Sequence, residues 1–228
     1  MPLPPPGEVR VLDKIPVDLH ADDVLQRIRM RSDSQRVAEM VRELITLVSS
    51  MARPKAMYRS VRIDAANGDQ LEIEGVGLEC HALRVFDRTQ PVFPYVATCG
   101  QELEAVRFPT GEAMKTYCLT IIQSMVVAVA TSYLQDCLVR DYALPQISSI
   151  GPGHPESWPL AQRKALFALL GNVEEAIGVK LTESGLMMPV NSVCGIFYPT
   201  ATRLERCHVC PSETCRERRT AYNPSVLA

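Results

Sequence analysis

The chain has 228 residues, 46% of them hydrophobic and 22% charged, with a formal net charge of −2 at pH 7. That length and apolar content suit one folded domain with a real core, and the balanced charge excludes the global basic field that marks a nucleic-acid binder. Eight cysteines without a basic-then-apolar leader exclude a disulfide framework and predict reduced thiols or metal ligands in a cytoplasmic protein with no membrane anchor.

Three regions are expected. Residues 1–10, opening Met1-Pro2-Leu3-Pro4-Pro5-Pro6-Gly7, predict an extended polyproline-like arm. Residues 11–200 predict the folded domain, and residues 201–228 a tail rich in Cys and Arg. Within the domain, 21–30 reads as a helix with Val24, Leu25 and Ile28 on one face. Residues 34–50 repeat that pattern through Val37, Met40, Val41, Leu44, Ile45 and Val48, with Asp33 or Ser34 as N-cap and Pro54 beyond the end. Strands are expected at 57–63 and 70–73, flanking a turn at 64–69 that contains Asn67-Gly68, and further strands at 83–86 and 92–98. Residues 111–141 read as one long helix. Its most apolar run, Cys118 to Ala130, is broken by Thr120, Gln123 and Ser124 and falls short of a bilayer span, so a buried core helix is expected. A Gly/Pro-rich turn near 151–159 precedes a helix at 160–170 and strands at 179–181 and 192–198. Helices and strands mix without βα alternation. The expected fold class is therefore α+β: a twisted, mainly antiparallel sheet with flanking helices and one long central helix.

Two segments carry candidate chemistry. In Ser149-Ile150-Gly151-Pro152-Gly153-His154, a tight turn removes side chains from the backbone's path, so that main-chain groups can approach a ligand, although Gly-Pro-Gly also serves as plain punctuation. His154 could carry a proton or donate a hydrogen bond there. In Leu181-Thr182-Glu183-Ser184-Gly185-Leu186-Met187-Met188-Pro189-Val190-Asn191-Ser192-Val193-Cys194-Gly195, Glu183 places a carboxylate where it could face a cation.

Together these segments resemble the activation region of vitamin B12-dependent methionine synthase, which carries an Arg-x-x-Pro-Gly-Tyr turn and then Leu-Thr-Glu-Ser-x-x-Met-x-Pro-x-x-Ser-Val-Ser-Gly. The second pattern is met at Leu181, Thr182, Glu183, Ser184, Met187, Pro189, Ser192, Val193 and Gly195, with Cys194 replacing Ser. The first is met at Pro152 and Gly153, while its Arg falls on Ser149 and its Tyr on His154. The resemblance implies a site for S-adenosylmethionine (AdoMet) at Gly151, Pro152, Gly153, His154, Glu183 and Ser184. It also implies a methyltransferase-type role, with cob(II)alamin on a partner protein remethylated after one-electron reduction by a flavodoxin or ferredoxin. The corrinoid carries that chemistry, so no general base is required. Ser149 cannot pair with the carboxylate of AdoMet as the family's Arg would, so another cation, Arg140 or Arg163, is needed, or AdoMet binding is weakened.

Cys207, Cys210 and Cys215 put three thiols within nine residues of a polar tail, a spacing suited to zinc or an iron–sulfur cluster. Cys194 is the first candidate for a fourth ligand, with Cys99 and His208 as alternatives. Cys80, Cys118 and Cys137 read as core residues. Arg203, Arg206, Arg216, Arg218 and Arg219 form either a solvated tail or a patch for an acidic partner. A metal-binding accessory of a corrinoid protein, without catalysis, is the alternative function, and a metal or redox sensor a third.

Overall fold

The computed structural model describes residues 7–28, 35–67, 70–79, 86–87, 89–153, 158–201, 208 and 220–223. A five-stranded sheet organises them, in the order β1 (Val9–Leu12), β2 (Lys55–Arg59), β6 (Phe93–Thr98), β10 (Ser192–Pro199), β7 (Ile147–Ile150). Every neighbouring pair is antiparallel. Both faces are covered, which is why all six residues of β6 are buried and its sequence does not alternate.

On one face lie α4 (Arg163–Leu170), α5 (Val173–Ile177) and a three-stranded meander of β3 (Ala65–Asn67), β4 (Gln70–Ile73) and β5 (Val76–Glu79). They close a core with Met57, Val96, Cys194, Ile196 and Tyr198 of the large sheet. On the other face lies α3 (Ala113–Asp141), and α1 (Ala21–Ile28) and α2 (Gln35–Met51) pack on it. Here Ala130, Leu134 and Leu138 meet Tyr58, Tyr95 and Phe197, with the Tyr95 and Phe197 rings stacked at 4.5 Å. A short two-stranded hairpin, β8 (Lys180–Leu181) and β9 (Met187–Met188), leads into β10.

The 29 residues of α3 make a helix long and apolar enough to cross a membrane, so the run at 118–130 belongs to a longer element than its polar breaks imply. Those breaks are tolerated because Thr120 and Ser124 donate to carbonyls four and three residues back, and Gln123 donates to Leu103 O. The buried face of α3, from Cys118 to Leu138, rests on α1, α2 and the sheet.

Several boundaries differ from expectation. Val9 and Arg10, read as part of the arm, form half of edge strand β1. The strand expected at 57–63 ends at Arg59, followed by a single bridge from Val61 to Val92. The partner of β4 is instead β3, with Asn67 opposite Gln70. Phe86 lies outside any strand and packs its ring on Tyr198 at 4.8 Å. Strand β7 was missed because half of Ile147-Ser148-Ser149-Ile150 is polar. Helix α5 was missed because it spans five residues. Its signal was Asn172, whose side chain accepts the Glu175 N–H at 3.2 Å and donates to the Glu175 carboxylate at 2.6 Å, with Gly178 left-handed at the other end. The caps considered at Asp33 and Ser34 lie outside the described residues.

Candidate functional site

Thr182 builds the hairpin tip. Its N–H donates to Leu186 O at 2.8 Å, its carbonyl accepts Gly185 N–H at 2.9 Å, and its hydroxyl accepts Leu186 N–H at 3.0 Å. The Ser184 hydroxyl lies 2.9 Å from that of Thr182, so Ser184 serves the turn itself. Gly185 has φ of +81°, a conformation costly for any residue with a Cβ. The outcome is that Glu183 is held at an exposed tip, and its carboxylate has neither hydrogen bond nor ion pair among the described residues.

Beyond the hairpin, Asn191 donates to the Gln123 side chain of α3 at 2.8 Å, and Ser192 to the Thr98 hydroxyl at 3.0 Å. Gly195 allows β10 to approach β7, since a Cβ there would collide with the Ile150 carbonyl. Much of the long motif is therefore scaffold: Thr182, Ser184, Gly185, Ser192 and Gly195 shape backbone, and Glu183 alone presents uncommitted chemistry.

The turn at Gly151–Gly153 leaves the end of edge strand β7. Pro152 is buried and Gly153 exposed, with its N–H donating to Trp158 O at 3.0 Å. Among the described residues, chain neighbours aside, nothing lies within 4 Å of where a Gly153 Cβ would sit, so they do not require glycine there. His154 lies outside the described residues. Turn and hairpin share no direct hydrogen bond among the described residues; the link runs through Trp158 and the start of α4.

That link ends in Arg163. Its Nη1 donates to Gly185 O at 3.0 Å, which ties α4 to the hairpin tip. Its Nε is buried with no acceptor, and no carboxylate pairs with the guanidinium among the described residues. Trp158 Nε1 and the Tyr198 hydroxyl, in the core below, are also buried without hydrogen bonds, and burial pushes Tyr198 ionisation upward. Arg140, the other candidate cation, is exposed at the far end of α3 and bonded to Asp141 at 2.9 Å. Ser149 faces the α3 side of the sheet, its hydroxyl 2.9 Å from that of Tyr95. Sequence reasoning named Arg163 only as an alternative. It overlooked Trp158, whose signal was the chain's single tryptophan inside a Gly/Pro-rich loop.

Of the expected metal ligands, Cys207, Cys210 and Cys215 lie outside the described residues. Cys194 is 3% exposed on the α4 face of the sheet, whereas Cys99 is 1% exposed and packs with α1, α2 and α3 on the other. The two cannot serve one ion. Burial pushes the Cys99 thiol up to about 12, so it stays protonated at neutral pH. His208 is half-buried, its carbonyl accepting Asn223 N–H at 2.9 Å. Among the described residues no three His, Cys, Asp or Glu side chains are arranged to hold a metal ion. A recess of about 380 Å³ opens between the meander and Gln162, lined by none of the candidate ligand-binding or metal-binding residues.

The family model of the vitamin B12 dependent methionine synthase activation domain matches residues 147–204, the span from β7 through the hairpin and β10. Among solved structures, the MetH reactivation domain bound to AdoHcy superposes with a TM-score of 0.63 at 17% identity, covering 87% of this chain and 80% of that one. The chain resembles that activation domain. The α+β fold, antiparallel sheet and long helix expected of it are those observed.

Proposed function

We propose that this protein binds AdoMet and supports methyltransferase-type reactivation of a corrinoid held by a partner, a B12-dependent methionine synthase or related methyltransferase. The observation that carries the reading is the hairpin tip. An uncommitted Glu183 carboxylate stands two residues from Gly185, whose carbonyl anchors an Arg163 with no ion-pair partner among the described residues, in a fold also found in a reactivation domain solved with AdoHcy. These residues fit AdoMet. Glu183 offers a negative charge to a sulfonium or ammonium, and the exposed Gly153, at the end of the Gly151–Gly153 turn, offers main-chain groups at close range. Thr182 and Ser184 hold the tip in place. Bound AdoMet would supply an electrophilic methyl group, with the corrinoid on the partner as acceptor. The protein's own work is positioning and charge placement.

A methionine synthase fragment lacking its activation region, poised as cob(II)alamin with reduced flavodoxin and AdoMet, tests the role. Adding this protein is expected to produce methylcobalamin absorbance, and Glu183→Ala to cut the yield at least about tenfold.

One observation favours the second reading, a metal-binding accessory without catalysis: Ser149 stands where the family has Arg and is engaged with Tyr95. Under that reading Cys207, Cys210 and Cys215 hold zinc or an iron–sulfur cluster, metal analysis finds near-stoichiometric zinc or iron, and no methylcobalamin forms.

A further inference from the structure

The AdoMet reading leaves one charge without a partner. The amino-acid end of AdoMet or AdoHcy is a zwitterion, and a site that holds it needs a cation as well as Glu183. At Ser149, the position where the resemblance expects that cation, the side chain is neutral and its hydroxyl meets Tyr95 on the α3 side of the sheet. Arg140 is bonded to Asp141 and to the Cys137 sulfur, both on its own helix. Arg163 is different on three counts. It is half-buried, so its charge is poorly screened. Its Nε is a buried donor without an acceptor, and no carboxylate neutralises it among the described residues. Its Nη1 is fixed on Gly185 O, two residues along the same hairpin from Glu183.

For a half-buried cation anchored on a neutral carbonyl, desolvation is only partly compensated. An incoming carboxylate would complete the compensation, and a planar guanidinium held at one corner is already oriented to receive one. Building on the AdoMet reading, we propose that Arg163 binds the carboxylate of the ligand's amino-acid end, in place of the cation missing at Ser149, while Glu183 faces the positive end. The site is thereby specific for α-amino-acid thioethers and sulfonium compounds over their decarboxylated forms. The cation is delivered from the first residue of α4 and not from β7.

The test uses the full chain and two ligands that differ only in the carboxylate: AdoHcy and decarboxylated AdoHcy, each titrated by calorimetry. The wild type is expected to prefer AdoHcy by roughly 10- to 100-fold, the range of a charge-assisted pair. Arg163→Gln should weaken AdoHcy by that factor, leave the decarboxylated ligand unchanged and so abolish the preference. Arg163→Lys should restore part of it, and Arg140→Gln should change nothing. Equal loss of both ligands in Arg163→Gln would reduce Arg163 to a clamp on the hairpin and overturn the inference. So would a wild type that binds both equally, although AdoMet binding itself would then stand. A wild type that binds neither ligand at millimolar concentration removes the AdoMet reading, and this inference with it.

Discussion

Three glycines of the matched segments differ in what they do, and substitution separates them. Gly195 is excluded from bearing a Cβ by the Ile150 carbonyl, so Gly195→Ala should cost roughly 1–3 kcal/mol by forcing β10 from β7. Gly185 has φ of +81° and open space around it, so Gly185→Ala should cost about 1–2 kcal/mol through backbone strain alone. Gly153 has neither constraint, and Gly153→Ala should leave the urea midpoint unchanged. Any loss of AdoMet affinity in that variant would then report on ligand approach. The thiols give a second prediction at this scale. Cys99, Cys118, Cys137 and Cys194 are all buried, so Ellman's reagent should reach them only on unfolding. Burial raises Cys99 from 9.0 to about 12. The folded protein therefore keeps its proton while the unfolded chain gives it up, so the stabilisation is complete below pH 9 and is lost as pH rises from 9 towards 12.

Arg59 joins elements that are otherwise separate. From β2 it donates to Gly7 O at 2.6 Å and to Leu169 O at the end of α4 at 3.0 Å, and it pairs with Glu74 in the β4–β5 turn at 2.6 Å. The ion pair is partly exposed and contributes under about 1 kcal/mol. The larger loss in Arg59→Ala is two carbonyls deprived of a charged donor, for a total of roughly 2–3 kcal/mol in chemical denaturation. A cost below about 0.5 kcal/mol would mean that the meander and α4 are held by apolar packing alone. At the same scale, α2 was legible because it sustains a helical apolar stripe over more than four turns, and α3 because its 29 residues are apolar on most sides. Elements β1, β3, β7 and α5 were not, because each has five residues or fewer and takes its place from tertiary pairing. The Asn67 turn was visible, but which strand entered it was not. Val61 and Ile63 are as apolar as a strand and are buried as connectors.

Across the whole molecule, one layer of α4, α5 and the β3–β5 meander and another of α1, α2 and α3 enclose the five-stranded antiparallel sheet, and α4 joins the β8–β9 hairpin where Arg163 donates to Gly185 O. The sequence pointed to that region through residues that mostly turn out to be scaffold. Thr182, Ser184 and Gly195 are required by the turn and by strand approach, so the motif was visible for structural reasons. Glu183 was legible with it, whereas Arg163 was named only beside Arg140 as a substitute cation, because nothing in a helix-starting Arg reveals, until the fold sets it under Gly185, that no carboxylate pairs with it among the described residues. AdoMet binding at this junction is the proposal on which the function rests. Equilibrium binding of AdoMet to the full chain, purified without oxygen, tests it most directly. The expected dissociation constant is on the order of micromolar, weakened at least about tenfold by Glu183→Ala and unmoved by Ser149→Ala, since the Ser149 hydroxyl faces Tyr95. Absence of binding at millimolar AdoMet, in a protein that melts cooperatively, would contradict it.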